Sequence, residues 1–463
     1  MNSTTMPMTA HAAQAAARVE RLLAHPRVAD WVLLKGLGRL LVNHEPSAVA
    51  SLRTSLLKMG ASSLPAAALP AMAKVLTVTR RMHEGALSAA REGRPVAWIT
   101  WPVPAAVVAA FPVLVYCPEN FYSVANASGG DGSTRLCELA DRHGVPTDIC
   151  SINRCMLGAF LGDELPPPQL CITANHPCDG NHAGNTILRE LAPCPHFSMG
   201  AAYDRSPQSV ATWARSVWEM IAFLETQLQQ PIDWLAVERH ARLINRLNKA
   251  LNHVTELHRN APAPRLINAL AVFWRMVAAA AWEPELADGA ELLEEAAVSL
   301  VERARRKKAP REPLRVVLGD QAITWTDFSA WIWEEYSGSV VSDYIGHFCH
   351  PPIDTSSKES MIEGLVLDRL HMSMIRQSHG TMEYTLDELT TALSEYDADC
   401  VLFHGNVGCK HNLALRREIE ALCRSIGIPA LFLDADIVDR RLIGEQALRQ
   451  KIKKFLADEG LPR

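Results

Sequence analysis

A chain of 463 residues is too long for one ordinary hydrophobic core and predicts two or three structural units. With 48% hydrophobic and 21% charged residues it has the composition of a water-facing globular protein, and a formal net charge of −5 gives no electrostatic reason to expect a nucleic-acid partner. Eleven cysteines, an odd number behind an Ala-rich start with no continuous apolar core, argue against a secreted disulfide framework; buried thiols or metal ligation remain, and a cytoplasmic location is expected.

Residues 1–94 are dominated by Ala, Leu, Arg and Met without strand alternation, which predicts a helical N-terminal arm with breaks at Met59-Gly60-Ala61 and Pro65. From Pro95 the pattern changes. Val96–Trp101 and Val113–Cys117 are short apolar runs bounded by proline, consistent with two buried parallel strands joined by a short link. Pro102, Pro104 and Pro112 argue against reading this uncharged stretch as one membrane-crossing helix, and no membrane association is expected. A helix carrying Leu136, Leu139 and Ala140 follows. Gly144-Val145-Pro146 then introduces a short strand ending at Cys150, and Ser151–Phe160 is helical. Gln169–Thr173 is the next strand; it runs out into Asn175-His176-Pro177-Cys178-Asp179-Gly180-Asn181, with a short helix from about Ala183.

Residues 207–310 predict a helical connector. Trp213, Val217, Ile221 and Leu224 form one apolar stripe, Leu243–Leu257 carries another, and Pro262 and Pro264 separate helices. The basic run Arg303–Lys308 reads as a solvated helix end, with a clamp for a phosphorylated ligand as the sharper alternative. Residues 311–463 predict a second α/β domain, with strands at Leu314–Leu318, Val340–Cys349, Cys400–Phe403 and Ala430–Leu433 and a terminal helix Ile443–Asp458. The third of these strands breaks at His404-Gly405-Asn406-Val407-Gly408 and presents Cys409. A helix with Leu415, Ile419, Leu422 and Ile426 on one face follows, and Gly427 and Pro429 end it. The expected architecture is therefore α/β: a helical N-terminal arm (1–94), two Rossmann-like parallel-sheet domains (95–206 and 311–463) and a helical connector (207–310).

Common nucleotide and hydrolase motifs are missing. There is no Gly-x-x-x-x-Gly-Lys-Ser/Thr loop, no Gly-x-Ser-x-Gly and no His-Glu-x-x-His; Gly36-Leu37-Gly38 lacks a third glycine and a preceding strand. No Cys-x-x-Cys occurs, which removes a standard zinc ribbon. The cysteines sort by context. Cys137, Cys155, Cys171, Cys400 and Cys423 fall inside predicted elements and read as core thiols. Cys117 also ends a predicted strand, but Pro118 and Glu119 after it make it a less obvious ligand; Cys194, between two prolines, and Cys349, beside two histidines, are open. Cys150, Cys178 and Cys409 each follow a predicted strand and precede a predicted helix. Ligands of parallel sheets sit at that place, and the free N–H groups and dipole of a helix start favour a thiolate there. Three thiolates are one short of the usual iron–sulfur set and would leave one iron open; zinc, copper(I) and a metal-free scaffold remain as alternatives. His404, His176 and Glu119 stand near these positions. His404 and Glu119 are candidate acid–base groups, against the plainer roles of loop-ordering histidine and helix-start carboxylate.

Asp148-Ile149-Cys150-Ser151, with Leu157-Gly158, resembles the first cysteine motif of the 2-hydroxyacyl-CoA dehydratase / benzoyl-CoA reductase family, and His176-Pro177-Cys178-Asp179-Gly180-Asn181 resembles its second. His404-Gly405-Asn406-Val407-Gly408-Cys409-Lys410, with Gly427-Ile428-Pro429 and Asp434-Ala435-Asp436 downstream, is similar to its third, and Tyr116–Asn120 also resembles a family stretch. The resemblance covers residues 95–463; the long N-terminal arm and the extra Cys117 and Cys155 depart from it. It implies a [4Fe–4S] cluster held by Cys150, Cys178 and Cys409 in a cleft between the two halves, and a sister subunit. It further implies a separate ATP-hydrolysing iron–sulfur activator that injects one electron, and a CoA-thioester substrate that becomes a ketyl-type radical. Two outcomes are open: reduction of an aromatic ring, to which the Ala- and Arg-rich residue usage inclines, and loss of water from a 2-hydroxyacyl group. A non-catalytic electron-relay subunit is a third alternative. Lys410 faces either CoA or water.

Overall fold

The computed structural model describes residues 64–120, 132–200, 204–321, 323–326, 328–378 and 380–462. The chain divides into two units, Met1–Ala50 and Ser51–Arg463, and all described residues belong to the second. Most of the expected helical arm, with Gly36-Leu37-Gly38 and the break at Met59, lies outside the described residues. Its last part is a helix, Leu69–Glu92, stopped by Gly93 in the left-handed conformation (φ 71°) that glycine adopts without steric cost.

Two four-stranded, all-parallel sheets organise the rest. The first contains β1 (Val96–Ile99), β2 (Leu114–Tyr116), β3 (Leu170–Ala174) and β4 (His196–Met199), in the order β2-β1-β3-β4. The second contains β5 (Arg315–Leu318), β6 (Ser339–Asp343), β7 (Cys400–Asn406) and β8 (Ala430–Ala435), in the order β6-β5-β7-β8. Each order reverses direction once, between β1 and β3 and again between β5 and β7. Those reversals open a crevice at the carboxyl ends of the strands. β1, β3, β5, β6 and β7 are buried along their whole length, as strands covered on both faces must be.

Several boundaries differ from the sequence-based expectation for identifiable reasons. β7 does not break at His404 but continues through Asn406, because β8 pairs with it as far as Asn406↔Ala435 and satisfies the backbone of that polar stretch. No strand forms over Val145–Ile149; a turn leads directly from the helix Gly132–Arg142 to the helix Ser151–Leu161, so Cys150 follows a turn and not a strand. β6 stops at Asp343, well short of Cys349. β4 was not expected: its sequence, His-Phe-Ser-Met, has no apolar run, because it is a partly exposed edge strand. The link between β1 and β2 holds one buried helical turn, Ala105–Val108.

The connector helices are Pro207–Leu228, Trp234–Leu257, Ile267–Ala280 and Pro284–Arg306. Trp213, Val217, Ile221 and Leu224 are buried as a stripe, as are Ile244, Leu247, Leu251 and Val254 on the next helix. Arg303, Arg305 and Arg306 occupy the last turn of the fourth helix, where cations suit the dipole. Arg315 ties the connector to β5. Fully buried, it pairs with Glu312 at 2.7 Å and donates to the carbonyls of Tyr396, His258 and Asn260. Among the described residues no helix is long and apolar enough to cross a membrane.

The pair of helices around Cys150 is held by a glycine. A Cβ on Gly158 would sit 1.9 Å from the carbonyl oxygen of Leu136, so the two helices touch at backbone distance there. Gly158→Ala must push them apart, at an overpacking cost of about 1–3 kcal/mol. Urea denaturation should show that loss; wild-type stability in the variant would contradict the contact.

Candidate functional site

One cleft, enclosing about 580 Å³ when its part open to solvent is counted, collects residues that follow the carboxyl ends of six strands. Trp101 follows β1, Glu119 follows β2, Cys178 and Asn181 follow β3, Asp320 follows β5, Tyr344 follows β6, and Asn406 and Cys409 end or follow β7. Cys150 and Asn153 enter from the helix Ser151–Leu161. The cleft therefore brings together Cys150, Cys178, Cys409 and Glu119. Cys117, fully covered behind β2, and Cys349, exposed, do not line it.

Each of the three cysteines is the residue immediately before a helix: Cys150 before Ser151–Leu161, Cys178 before Asp179–Leu191, and Cys409 before Lys410–Ala414. The helix after Cys178 starts four residues earlier than its sequence suggested. The helix after Cys409 is short, and a separate helix, Arg416–Ile426, carries the expected apolar face. First-turn N–H groups point at the sulfurs: Ile152 and Asn153 at Cys150, Gly180 and Asn181 at Cys178, and Asn412 at Cys409. These donors act against the burial of the sulfurs, which is the larger effect. Burial pushes the Cys178 thiol up to about 11 and drives Cys150 and Cys409 higher still, with the neighbouring sulfurs adding to the rise. Burial opposes the thiolate expected at Cys409 from its helix start.

Glycines allow the three segments to meet. A Cβ on Gly408 would lie 2.6 Å from both the Cα of Cys150 and the carbonyl oxygen of Ile149, and one on Gly180 would lie 3.2 Å from the Cβ of Cys150. Lys410 reaches Asp148 and Asp179, each at 3.4 Å, and so links the loops of Cys150 and Cys178 to its own. All three side chains are exposed, and the pairs add little stability. Lys410 faces water.

Polar side chains complete the cleft. Glu119, 1% exposed, accepts from the Trp101 N–H at 2.9 Å and from the Asn181 amide. Asn181 accepts from Asn185, which also donates to the Ala174 carbonyl at the end of β3. This chain fixes the loop that carries Cys178. Asn406 directs its amide nitrogen at the Cys150 sulfur, 3.9 Å away, and its buried oxygen has no hydrogen-bond partner among the described residues. Asp320 accepts from the Gln321 N–H at 2.7 Å and the Asn406 N–H at 3.4 Å. Asn181, Asn406 and Asp320 were not singled out from the sequence; their signal was position, at or just after a strand end for Asn406 and Asp320 and in the first turn of the helix after Cys178 for Asn181.

His404 lies elsewhere. It is buried on β7 and lines a separate cavity with Leu318, Phe328, Leu448 and Ile452, where burial holds its imidazole below the usual range. His176 is buried with its ring 6.2 Å from that of Trp213. Among the described residues no three His, Cys, Asp or Glu side chains converge on a single metal ion. A lone zinc ion needs sulfurs roughly 3.8 Å apart, from Zn–S bonds of about 2.3 Å at tetrahedral angles. A cluster, whose ligand sulfurs bond different irons, spreads them wider.

A family model described as 2-hydroxyglutaryl-CoA dehydratase, D-component, matches residues 100–457, which takes in every strand after β1. The chain belongs to this dehydratase family. It is also 30% identical over 102 residues to the (R)-2-hydroxyisocaproyl-CoA dehydratase alpha subunit of Clostridioides difficile, a stretch that makes up 21% of this chain and 24% of that relative. The chain thus aligns with about a quarter of that relative's length. All three cysteine-bearing helix starts of this dehydratase-family chain lie inside the family match.

Burial raises the Glu119 carboxyl from an ordinary 4.5 to about 7. A raised carboxyl binds its proton more tightly in the folded state, so its contribution to stability is greatest below pH 4.5 and declines as pH rises to about 7. Glu119→Gln, which cannot ionise, should gain on wild type by up to about 3 kcal/mol between those pH values. Denaturation curves at pH 5 and pH 8 check this; a difference that does not change with pH would rule out the raised carboxyl.

Proposed function

We propose that this chain is the cluster-holding subunit of a CoA-thioester dehydratase, acting on a 2-hydroxyacyl-CoA that loses water. The observation that carries the proposal is the lining of one cleft by three thiols, each at a helix start and each from a different part of the chain. Their chemistry fits a [4Fe–4S] cluster: soft donors, N–H groups aimed at every sulfur, and two glycines where side chains would fill the meeting point. Cys150, Cys178 and Cys409 would hold it, losing their thiol protons on binding. Bound there, the cluster would supply a single low-potential electron to the thioester carbonyl.

The chain's own groups do the rest. The helix-start N–H groups and the Asn406 amide favour negative charge on the sulfurs. The Glu119 carboxyl, poised near neutrality, can hold or release a proton at Oε1 or Oε2 within the cleft, and we assign it the acid–base role. His404, in its separate cavity, supports β7 instead. The names of the family and of the Clostridioides difficile relative support dehydration over ring reduction, which rested on residue usage alone. That relative is an alpha subunit, which supports a sister subunit here. A separate ATP-hydrolysing activator completes the proposal, since the chain carries no phosphate-binding loop of its own.

Anaerobic purification should give a brown protein with about four irons per chain. Cys178→Ala should lose the iron, whereas Cys423→Ala, which touches only core, should keep it. A colourless wild-type protein, or equal iron in the two variants, would overturn the ligand assignment. Addition of 2-hydroxyacyl-CoA should perturb the cluster spectrum; an unchanged spectrum would favour the electron-relay alternative.

A further inference from the structure

Two cysteines outside the cleft stand in direct contact. The sulfurs of Cys171 and Cys194 are 3.5 Å apart. Cys171 is fully buried in β3, and Cys194 is half-buried in the segment between the helix Asp179–Leu191 and β4. Backbone pairing sets their approach: the Cys171 N–H donates to the Pro195 carbonyl at 3.0 Å, and Cys171 is in register with His196. Pro193 and Pro195 flank Cys194 and restrict the backbone on either side of it. The two sulfurs are therefore held together by the sheet and not by a flexible loop.

We infer that Cys171 and Cys194 form a redox-active dithiol, a modification site that takes low-molecular-weight disulfides of the glutathione type as oxidant. The partners are unequal in the way such chemistry requires. Cys194 is reachable from solvent, and its contact with the Cys171 thiol favours its thiolate, while burial and the same contact keep the proton on Cys171. The Cys194 thiolate attacks one sulfur of the incoming disulfide, forming a mixed disulfide and expelling one thiolate. Cys171 then gives up its proton and attacks the Cys194 sulfur, expelling the second. The two cysteines lose two electrons and two protons, and the oxidant is reduced to two thiols. Closing the bond needs the sulfurs to move from 3.5 Å to about 2 Å, within the reach of a χ1 adjustment.

The consequence falls on the cleft. The bond would join β3 to the segment entering β4 and enclose the Cys178 loop together with the whole helix Asp179–Leu191. This inference stands without the iron–sulfur proposal, because neither thiol lines the cleft.

The test uses the full-length chain, purified anaerobically under reducing conditions. It is exposed to oxidised glutathione, alkylated and digested without reduction. Peptide mass mapping should find Cys171 joined to Cys194, a link that dithiothreitol reverses. Cys171→Ser should stop at a glutathione adduct on Cys194. Wild-type chain that stops at that adduct, with Cys171 alkylated, would overturn the inference. So would wild-type chain in which both thiols stay reduced while Cys150, Cys178 or Cys409 oxidise. The wild-type map decides the question even where the variant fails to fold.

Discussion

The contact on which the site depends is a backbone contact: Gly408 lies against Ile149 and Cys150 so closely that a single methyl group would overlap both. It joins the loop after β7 of the second sheet to the turn between the helices Gly132–Arg142 and Ser151–Leu161, at the start of the second. Gly180 makes the matching approach from the first turn of the helix Asp179–Leu191, with its Cα facing the Cys150 side chain. Close packing of this kind transmits position rigidly, because neither side has a flexible side chain to absorb a shift. The three sulfurs are thus placed by peptide groups and helix starts, and Lys410 adds only an exposed electrostatic tie across them.

Desolvation and helix-start electrostatics oppose each other at these thiols, and burial is the larger of the two effects. Two N–H groups at Cys150 and two at Cys178 pull towards the anion, while burial pushes both thiols above the usual range. The same donors change role once a cation or cluster neutralises the sulfurs, since they then stabilise charge that no longer has to be carried by an isolated thiolate. Buried thiols with donors aimed at them are poor nucleophiles and good ligands, which separates this cleft from that of a cysteine-dependent hydrolase.

Much of this was legible in the sequence because it is written in local rules. Apolar runs bounded by proline gave β1, β2 and β3, and the periodic stripe from Trp213 to Leu224 gave a buried helix face. The three cysteines stood out because each precedes a helix. What escaped depends on pairing. Nothing local to His404-Gly405-Asn406 says strand; β8 makes it one. Nothing local to His196–Met199 says strand either, since an edge position asks for little apolar surface. His404 looked like a neighbour of Cys409 in sequence, and the extension of β7 carried it away to another cavity. Glu119 was legible only as a carboxylate at a strand end. Its burial, and hence its raised carboxyl, came from Trp101 and Asn181, contacts across the sheet that no spacing encodes.

The number of thiols follows from how the two halves differ. Their sheets have the same strand order, and equivalent positions feed the cleft: β3 leads to Cys178 and β7 to Cys409, while β1 leads to Trp101 and β5 to Asp320. A strict duplication would yield cysteines in matched pairs. Cys150 breaks the match, because it comes from the helix pair inserted between β2 and β3. The corresponding insertion between β6 and β7 sends Met374 and Ser378 to the cleft and no thiol. Three hard-to-ionise sulfurs with a thioether and a hydroxyl opposite is what remains when one half of a two-fold design supplies an extra helix start and the other does not. Three thiols in the cleft, where matched halves would give an even number, are the consequence of that asymmetry.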